Sequence, residues 1–450
     1  MTIDTSPTAP PADAATERAK GREARRTTGR RELATLVTAG RDPLGILSAQ
    51  NATRVPELVP LRTERMSASP FAFYRGTAAL MAADLGAGPS SGILVASCGD
   101  AHVANFGFYA PPQRTLVFDL NDFDEAAWAP WEWDLKRLVA SIVIAGKATE
   151  RGDEVTRGAA RAAVRQYVAA LDEGRDASPL ERYYQHFDAA GGLGSGSKAA
   201  RKVLQAAIGD AERRTGDRAT RKLTVTGDDG RRRFIEQPPT MTHVGDELAR
   251  AVESSLHEYL LTTRPDIRVL MRHYAVADTV RRVVGVGSVG TRCYVTVLAD
   301  GDDKALLLQT KEAGRSVLIE HGRSPQPPEV APYIEAYGEG GRVVAMQRIL
   351  QGVSDPFLGH FRGRTEDYYV RQFRDMKGGI DAETLDDGSF RLYAQACAAV
   401  LARAHGQSPT AGMIVGYVGD GDAVTDAIVD WSYAYADLSR RDYDAFVAAA

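Results

Sequence analysis

Five aspartates crowd residues 99–134, GDAHVANFGFYAPPQRTLVFDLNDFDEAAWAPWEWD: Asp100, Asp119, Asp122, Asp124 and Asp134. His102, Asn105, Glu125 and Glu132 lie among them. Apolar runs precede the acids, at 93–96 before Asp100 and at 116–118 before Asp119. A buried strand delivers a carboxylate to a sheet edge in this way. A carboxylate base, an amide oxygen five positions on and a further carboxylate after the next strand form the base and magnesium set of kinase-type phosphoryl transfer. In that reading Asp100 takes or orients the proton of an acceptor hydroxyl. Asn105 and Asp122, or Asp119 in its place, hold Mg²⁺, which prefers oxygen ligands, and Asp124 is a further ligand. His102 orders the loop or serves as a ligand, and Asp134 braces the loop.

A second stretch begins at Val283, VVGVGSVGTRCYVTVLADGDDKALLLQTKEA. Gly285, Gly287 and Gly290 spell GxGxxG around Ser288. A dinucleotide fingerprint needs a helix after its glycines. Here the alternating residues 294–298 predict a strand, and residues 305–310 predict another that ends on Lys311. Strand, glycine turn, strand, turn, strand and lysine is the order of a kinase phosphate loop and the lysine that pairs with phosphates. Glu320 is the glutamate expected to hold Lys311, with Glu312, Glu329 and Glu335 as rivals. Arg65 and Arg75 either reach a phosphate or pair with the acid-rich stretch.

These residues need elements to position them. Residues 106–110 and 115–120 predict a hairpin, and a helix opens at Trp131 with Asp134 in its first turn, where a carboxylate favours the dipole. Ser69 and Pro70 open another helix. Residues 342–350 read as a strand, and residues 368–377 and 392–404 as helices. Residues 191–197, GGLGSGS, read as a flexible link.

The whole chain has 450 residues, 44% hydrophobic and 25% charged, with a net charge of -4. That charge gives no support to nucleic-acid binding through a basic surface. Cys98, Cys293 and Cys397 are far apart and odd in number, which suits a reducing cytoplasm rather than a disulfide framework. No apolar run reaches the roughly 20 residues of a membrane span. The histidines contain no HxH or HxxxH pair for a hydrolase metal site. The expected division is a disordered tail at 1–28, a helical region with the catalytic loop at 29–265, a small β-rich nucleotide lobe at 266–355, and a helical completion at 356–450.

The segments SPFAFYRG, CGDAHVANFG, VFDLNDFDEA, WEWDLKRL, VVGVGSVGTR, LLLQTKEA, YYVRQFRDMK and LARAH resemble the bacterial family known as domain of unknown function 2252. That resemblance covers about residues 30 to 445 and implies a protein-kinase-like grouping. GDAHVAN is also similar to the HGDxHxxN loop of aminoglycoside and choline phosphotransferases, with Cys98 where their histidine stands. NDFDEA is similar to their metal-binding segment and aligns Asp122 with their aspartate, whereas counting from Asn105 favours Asp119. The expected fold is α+β and two-lobed, kinase-like and circularly permuted, because the catalytic loop precedes the glycine-rich lobe. The expected activity uses ATP and Mg²⁺ to phosphorylate a small-molecule hydroxyl. The alternatives are protein kinase or AMP transferase activity, and a non-catalytic nucleotide-binding module.

Overall fold

Buried strand β1 (Leu94–Ser97) runs antiparallel to β4 (Ala127–Pro130), with Leu94 opposite Pro130 and Ser97 opposite Ala127. Everything between them is the acid-rich stretch. In this computed structural model it leaves β1 as a loop and forms the hairpin of β2 (Phe106–Tyr109) and β3 (Val117–Leu120). It then returns through a second loop to β4. The structure describes residues 12–174, 176–189, 191, 198–228, 230–328, 330–373 and 376–450.

From β4 the chain enters helix Trp131–Ala148, buried at every position from 131 to 146. A helix so enclosed must be apolar all round or pair each polar group it carries. Most of its charges do find partners: Glu132 accepts from the Ser91 N–H and hydroxyl, both at 2.7 Å. Helices Asp153–Glu173, Asp387–His405 and Asp422–Ala449 surround it and share one hydrophobic core with the hairpin.

Two short strands, β5 (Thr224–Thr226) and β6 (Arg232–Phe234), pair with each other. A six-stranded antiparallel sheet follows, made of β7 (Met241–His243), β8 (Ala275–Arg282), β9 (Cys293–Ala299), β10 (Ala305–Ala313), β11 (Gly359–Arg362) and β12 (Asp367–Gln372). Their spatial order is β11-β12-β10-β9-β8-β7. The two-residue strand β13 (Gly378–Gly379) leaves this region to pair with β2. Period-two alternation divides the sheet's faces. Leu298, Leu306, Leu308 and Val370 pack on helices Asp246–Thr262 and Pro265–Met271. Val280, Val295, Val297 and Leu307 pack on Leu223 and Phe234, and Lys311 shares this second face by its period. The molecule is therefore α+β, with several antiparallel sheets.

Four expectations need correction. Residues 342–350 are the end of helix Val330–Leu350, not a strand. Val343, Met346, Gln347 and Leu350 are buried at helical spacing, and that period outweighs the β-branched pair at 343–344. Residues 367–372 are β12, not a helix, because they extend the ladder with Tyr369 opposite Lys311. The strands of the six-stranded sheet therefore run from residue 241 to residue 372, past the expected bounds 266 and 355 on both sides. The tail is not disordered throughout residues 1–28. Helix Ala14–Ala24 forms behind an Asp13 cap, and its Gly21 lies so close to the backbone of Met413 that a side chain there would collide. Residues 1–11 lie outside the described residues, as does the link expected at 191–197 apart from Gly191.

Candidate active site

Gly99 takes the left-handed conformation that turns the chain out of β1 (φ +79°), and Asp100 follows it. Asp134, in the first turn of helix Trp131–Ala148, accepts from the Cys98 N–H at 2.7 Å and the Gly99 N–H at 3.0 Å. Behind it His405 Nε2 is 3.3 Å from Asp134 Oδ2, and His405 Nδ1 is 2.7 Å from the Tyr167 hydroxyl. Arg137, one turn further along the helix, donates through Nε to Asp100 Oδ1 at 2.8 Å and through Nη2 to the Tyr74 carbonyl at 2.8 Å. The rest of the loop is tied as firmly. Asn105 Nδ2 donates to the Asp100 carbonyl, the Val103 N–H to Ser141 Oγ, and the Tyr393 hydroxyl to the Val103 carbonyl.

Asp100 keeps its second oxygen, Oδ2, 3.7 Å from His102 Nε2. Burial raises the Asp100 pKa above the ordinary carboxylate value, and Arg137 opposes that rise. Burial, with the charges of Arg137 and Arg75, holds His102 well below its usual value, so the imidazole is neutral. Its Nδ1 has no hydrogen-bond partner among the described residues.

Lys311 on β10 is buried behind the cleft lining and donates to Asp124 Oδ2, which does line the cleft, and the Tyr369 hydroxyl donates to Asp124 Oδ1 at 2.5 Å. Burial alone would push Lys311 down. Asp124, Tyr369 and Asp122 override it, and the lysine stays charged well above its ordinary range. Asp124 is correspondingly lowered, its burial overcome by Lys311. Asp122 is raised, first by burial and then by the Asp124 charge. Its carboxylate meets only the Asp124 N–H, at 3.4 Å, among the described residues. Glu125 accepts from the Val317 N–H at 2.8 Å and is pushed up to about 7 by burial. Arg342 fastens this second loop, donating to the carbonyls of Asp124, Ala126 and Gly314.

The glycine loop joins β8 to β9, with φ of +67° at Gly285 and +90° at Gly290. It is held from outside by the N-terminal helices. Arg65 donates to the Gly285 carbonyl at 2.7 Å, Arg54 to the Val289 carbonyl, and the Val55 N–H to the Gly290 carbonyl at 2.8 Å. Ser288 turns its hydroxyl back to the Val284 carbonyl at 2.9 Å. Asp100, Asn105, Asp122, Asp124, Gly285 and Gly287 all line one cleft of about 420 Å³, and Ser288 and Glu320 line it too.

Two expected site residues stand elsewhere. Asp119 faces away from the cleft and accepts from the Gly352 N–H at 2.7 Å, which ties β3 to the segment after helix Val330–Leu350. Glu320 is exposed on the cleft rim and does not hold Lys311; Asp124 does. Of the rivals, Glu312 pairs with Arg292 at 3.2 Å, Glu335 is exposed, and Glu329 lies outside the described residues. Arg137, Arg54, Arg342 and Tyr369 were not singled out from the sequence. Arg137 had one available signal, its i+3 spacing from Asp134 on a helix face.

Among the described residues no group of three or more His, Cys, Asp or Glu side chains could hold a metal ion. A magnesium ion held by one or two carboxylates and substrate phosphates needs no such cage. The under-coordinated Asp122 carboxylate fits that mode. No helix of the described residues is long and apolar enough to cross a membrane.

Over residues 54–449 the chain matches the family described as an uncharacterized protein conserved in bacteria, DUF2252, and it belongs to that family. No curated protein and no solved structure matches it.

Proposed function

We propose that the chain is a nucleotide-dependent phosphotransferase of kinase type whose two lobes occur in permuted order along the sequence. The observation that carries the reading is the Lys311–Asp124 ion pair, two residues from Asp122 and across the cleft from Asp100. Lys311 sits on the third strand counted from the glycine loop's own first strand, β8, as the phosphate-pairing lysine of kinases does on theirs. In this reading Asp100, oriented by Arg137, receives the acceptor hydroxyl. Asn105 and Asp122 hold Mg²⁺, which would draw charge from the phosphates. Lys311 and the backbone N–H groups of residues 285–290 hold the nucleotide phosphates. Asp124 keeps the lysine charged and aimed until they arrive.

Calorimetry with ATP and ADP, with and without Mg²⁺, tests this. Wild type should bind in a Mg²⁺-dependent manner, and Asp122→Ala and Lys311→Met should each weaken binding at least tenfold while circular dichroism stays native. Absence of binding to wild type would overturn the reading.

AMP transfer is a second reading, favoured by one feature. Gln309 and Arg371 are cross-strand partners on the Lys311 face, with Arg371 Nε donating to Gln309 Oε1 at 3.0 Å. A nucleobase there would separate them, whereas a terminal phosphate would be met by Arg371. Label from α-³²P-ATP appearing in product would establish AMP transfer, and label only from γ-³²P-ATP would exclude it.

A further inference from the structure

The wall of the cleft opposite the acidic loops comes from residues 49–78, ahead of the hairpin and sheet in the chain. It brings two guanidinium groups, Arg54 and Arg75, into a cleft that Asp100, Asp122, Asp124, Glu125 and Glu312 also line, with the exposed Arg315 and Glu320 at its mouth. Several buried arginines elsewhere are engaged, fully or through their other nitrogens, even where, as at Arg62 and Arg151, the Nε has no partner among the described residues. Arg41 joins Asp84 and Asp442, Arg137 holds Asp100, and Arg403 donates to two carbonyls. Arg75 differs from these in lining the cleft with no side-chain hydrogen bond and no ion pair among the described residues, and its Nε is buried. Arg54 spends one Nη on the Val289 carbonyl and leaves its own buried Nε without a partner. Burying a guanidinium donor without an acceptor is unfavourable, so such donors facing open space await an anion.

We propose that Arg75, with Arg54 beside the glycine loop, binds an anionic group of the acceptor, a carboxylate or a phosphate ester. The acceptor would then be a small molecule that carries this anion close to its reacting hydroxyl. The proposal rests on the phosphotransferase reading for the word acceptor. Three features locate the anion on that side. Arg75 ends helix Pro70–Arg75, and its charge acts directly on Asp100 and His102, the groups around the proposed base. The phosphate-pairing lysine is already supplied by the opposite lobe. A planar guanidinium matches a carboxylate or phosphate through two parallel hydrogen bonds, which fixes the orientation of the molecule as well as its charge. The carboxylates that line the cleft would repel an anionic acceptor without this pair.

The same chemistry could serve the nucleotide's own terminal phosphate, so the test separates the two sources. Inorganic phosphate is titrated by calorimetry into the full chain, nucleotide-free and saturated with Mg²⁺ and the non-hydrolysable analogue AMP-PNP, which fills the terminal phosphate position. Phosphate should bind in both states. Arg75→Met should weaken it at least tenfold in both, Arg75→Lys should retain part of the affinity, and both should leave AMP-PNP affinity within twofold. Arg54→Met provides an independent arm with a smaller loss of phosphate affinity. Phosphate binding unchanged in Arg75→Met would overturn the proposal. So would binding that disappears when AMP-PNP is present, or AMP-PNP affinity that falls tenfold in Arg75→Met, because the arginines would then serve the nucleotide. If wild type binds no AMP-PNP, the acceptor assignment falls with the phosphotransferase reading. Arg75-dependent phosphate binding to the nucleotide-free chain would then leave an anion site alone.

Discussion

The Asp100 loop and the glycine loop line one cleft and are held by opposite means. The first is locked from beneath by buried side chains of a single helix: Asp134 takes two of its N–H groups, Arg137 its carboxylate and Ser141 a third N–H. Asp134 and Arg137 are 1% and 2% exposed, so no water competes for these bonds. The second is held from outside, by partly exposed arginines of the N-terminal helices on backbone carbonyls. In the proposed phosphotransferase, a base fixed before substrate arrives would require no reorganisation when the reaction starts. The glycine loop, in the same proposal, would close on nucleotide phosphates, and segments that close on ligands come from the less stable parts of a fold.

That contrast is open to breakage. Asp134→Ala strands the N–H groups of Cys98 and Gly99 and removes one of the two partners of His405. Stability should fall by about 3 kcal/mol in urea denaturation. A loss below about 1 kcal/mol would mean that the loop is not fixed by this brace.

On the same helix, Lys136 is buried with its ammonium 4.7 Å from the Trp431 ring centre, and burial pushes its pKa down to about 8. In the unfolded chain it returns to about 10.4. Between those values the unfolded chain binds a proton that the folded chain has released, so this group's contribution to stability rises with pH across that window. Below about pH 8 the burial penalty is felt in full. Lys136→Met should therefore stabilise the protein by roughly 2 kcal/mol at pH 7 and by less at pH 9.5. Denaturation at the two pH values checks this.

Two aspartates of one segment sharpen the comparison. Asp119→Ala leaves the half-buried Gly352 N–H unpaired and should cost about 1.5 kcal/mol of stability, without changing Mg²⁺-dependent nucleotide binding. Asp122→Ala should do the reverse, with a stability change within about 0.5 kcal/mol. Thermal melts and calorimetry on the pair decide it. The smallest effect belongs to the outer loop. Arg65→Ala should change global stability by less than about 0.5 kcal/mol and yet speed amide exchange at residues 285–290. Unchanged exchange would show that the glycine loop does not depend on its outer arginines.

Local pattern made part of this site legible. The apolar run before each acid, the turn between residues 109 and 117, and a carboxylate in the first turn after Trp131 each act within a few residues. The hairpin, the helix and the Asp134 brace follow from them. The partner of Lys311 was not legible in this way. Glu320 is nine positions away and was the natural choice, whereas Asp124 precedes the lysine by 187 positions. The side chain reaches it because β10 lies between β9 and β12 with Lys311 on the face turned to the acidic loop. Arg75 was legible as a candidate for a phosphate or for the acid-rich stretch, but that it is half-buried at the cleft with no hydrogen bond to either among the described residues is settled only by the packing of neighbouring elements.

The sequence by itself determined the local turns and strands that present the acid-rich and glycine segments, since hydrophobic period and turn preference are properties of neighbours along the chain. Tertiary structure alone decided which charges meet. The pairing of Lys311 with Asp124, the withdrawal of Asp119 from the cleft and the isolation of Arg75 depend on sheet register and on the packing of distant elements. Ion pairs and desolvation act over a few ångströms of space, whatever the distance along the chain.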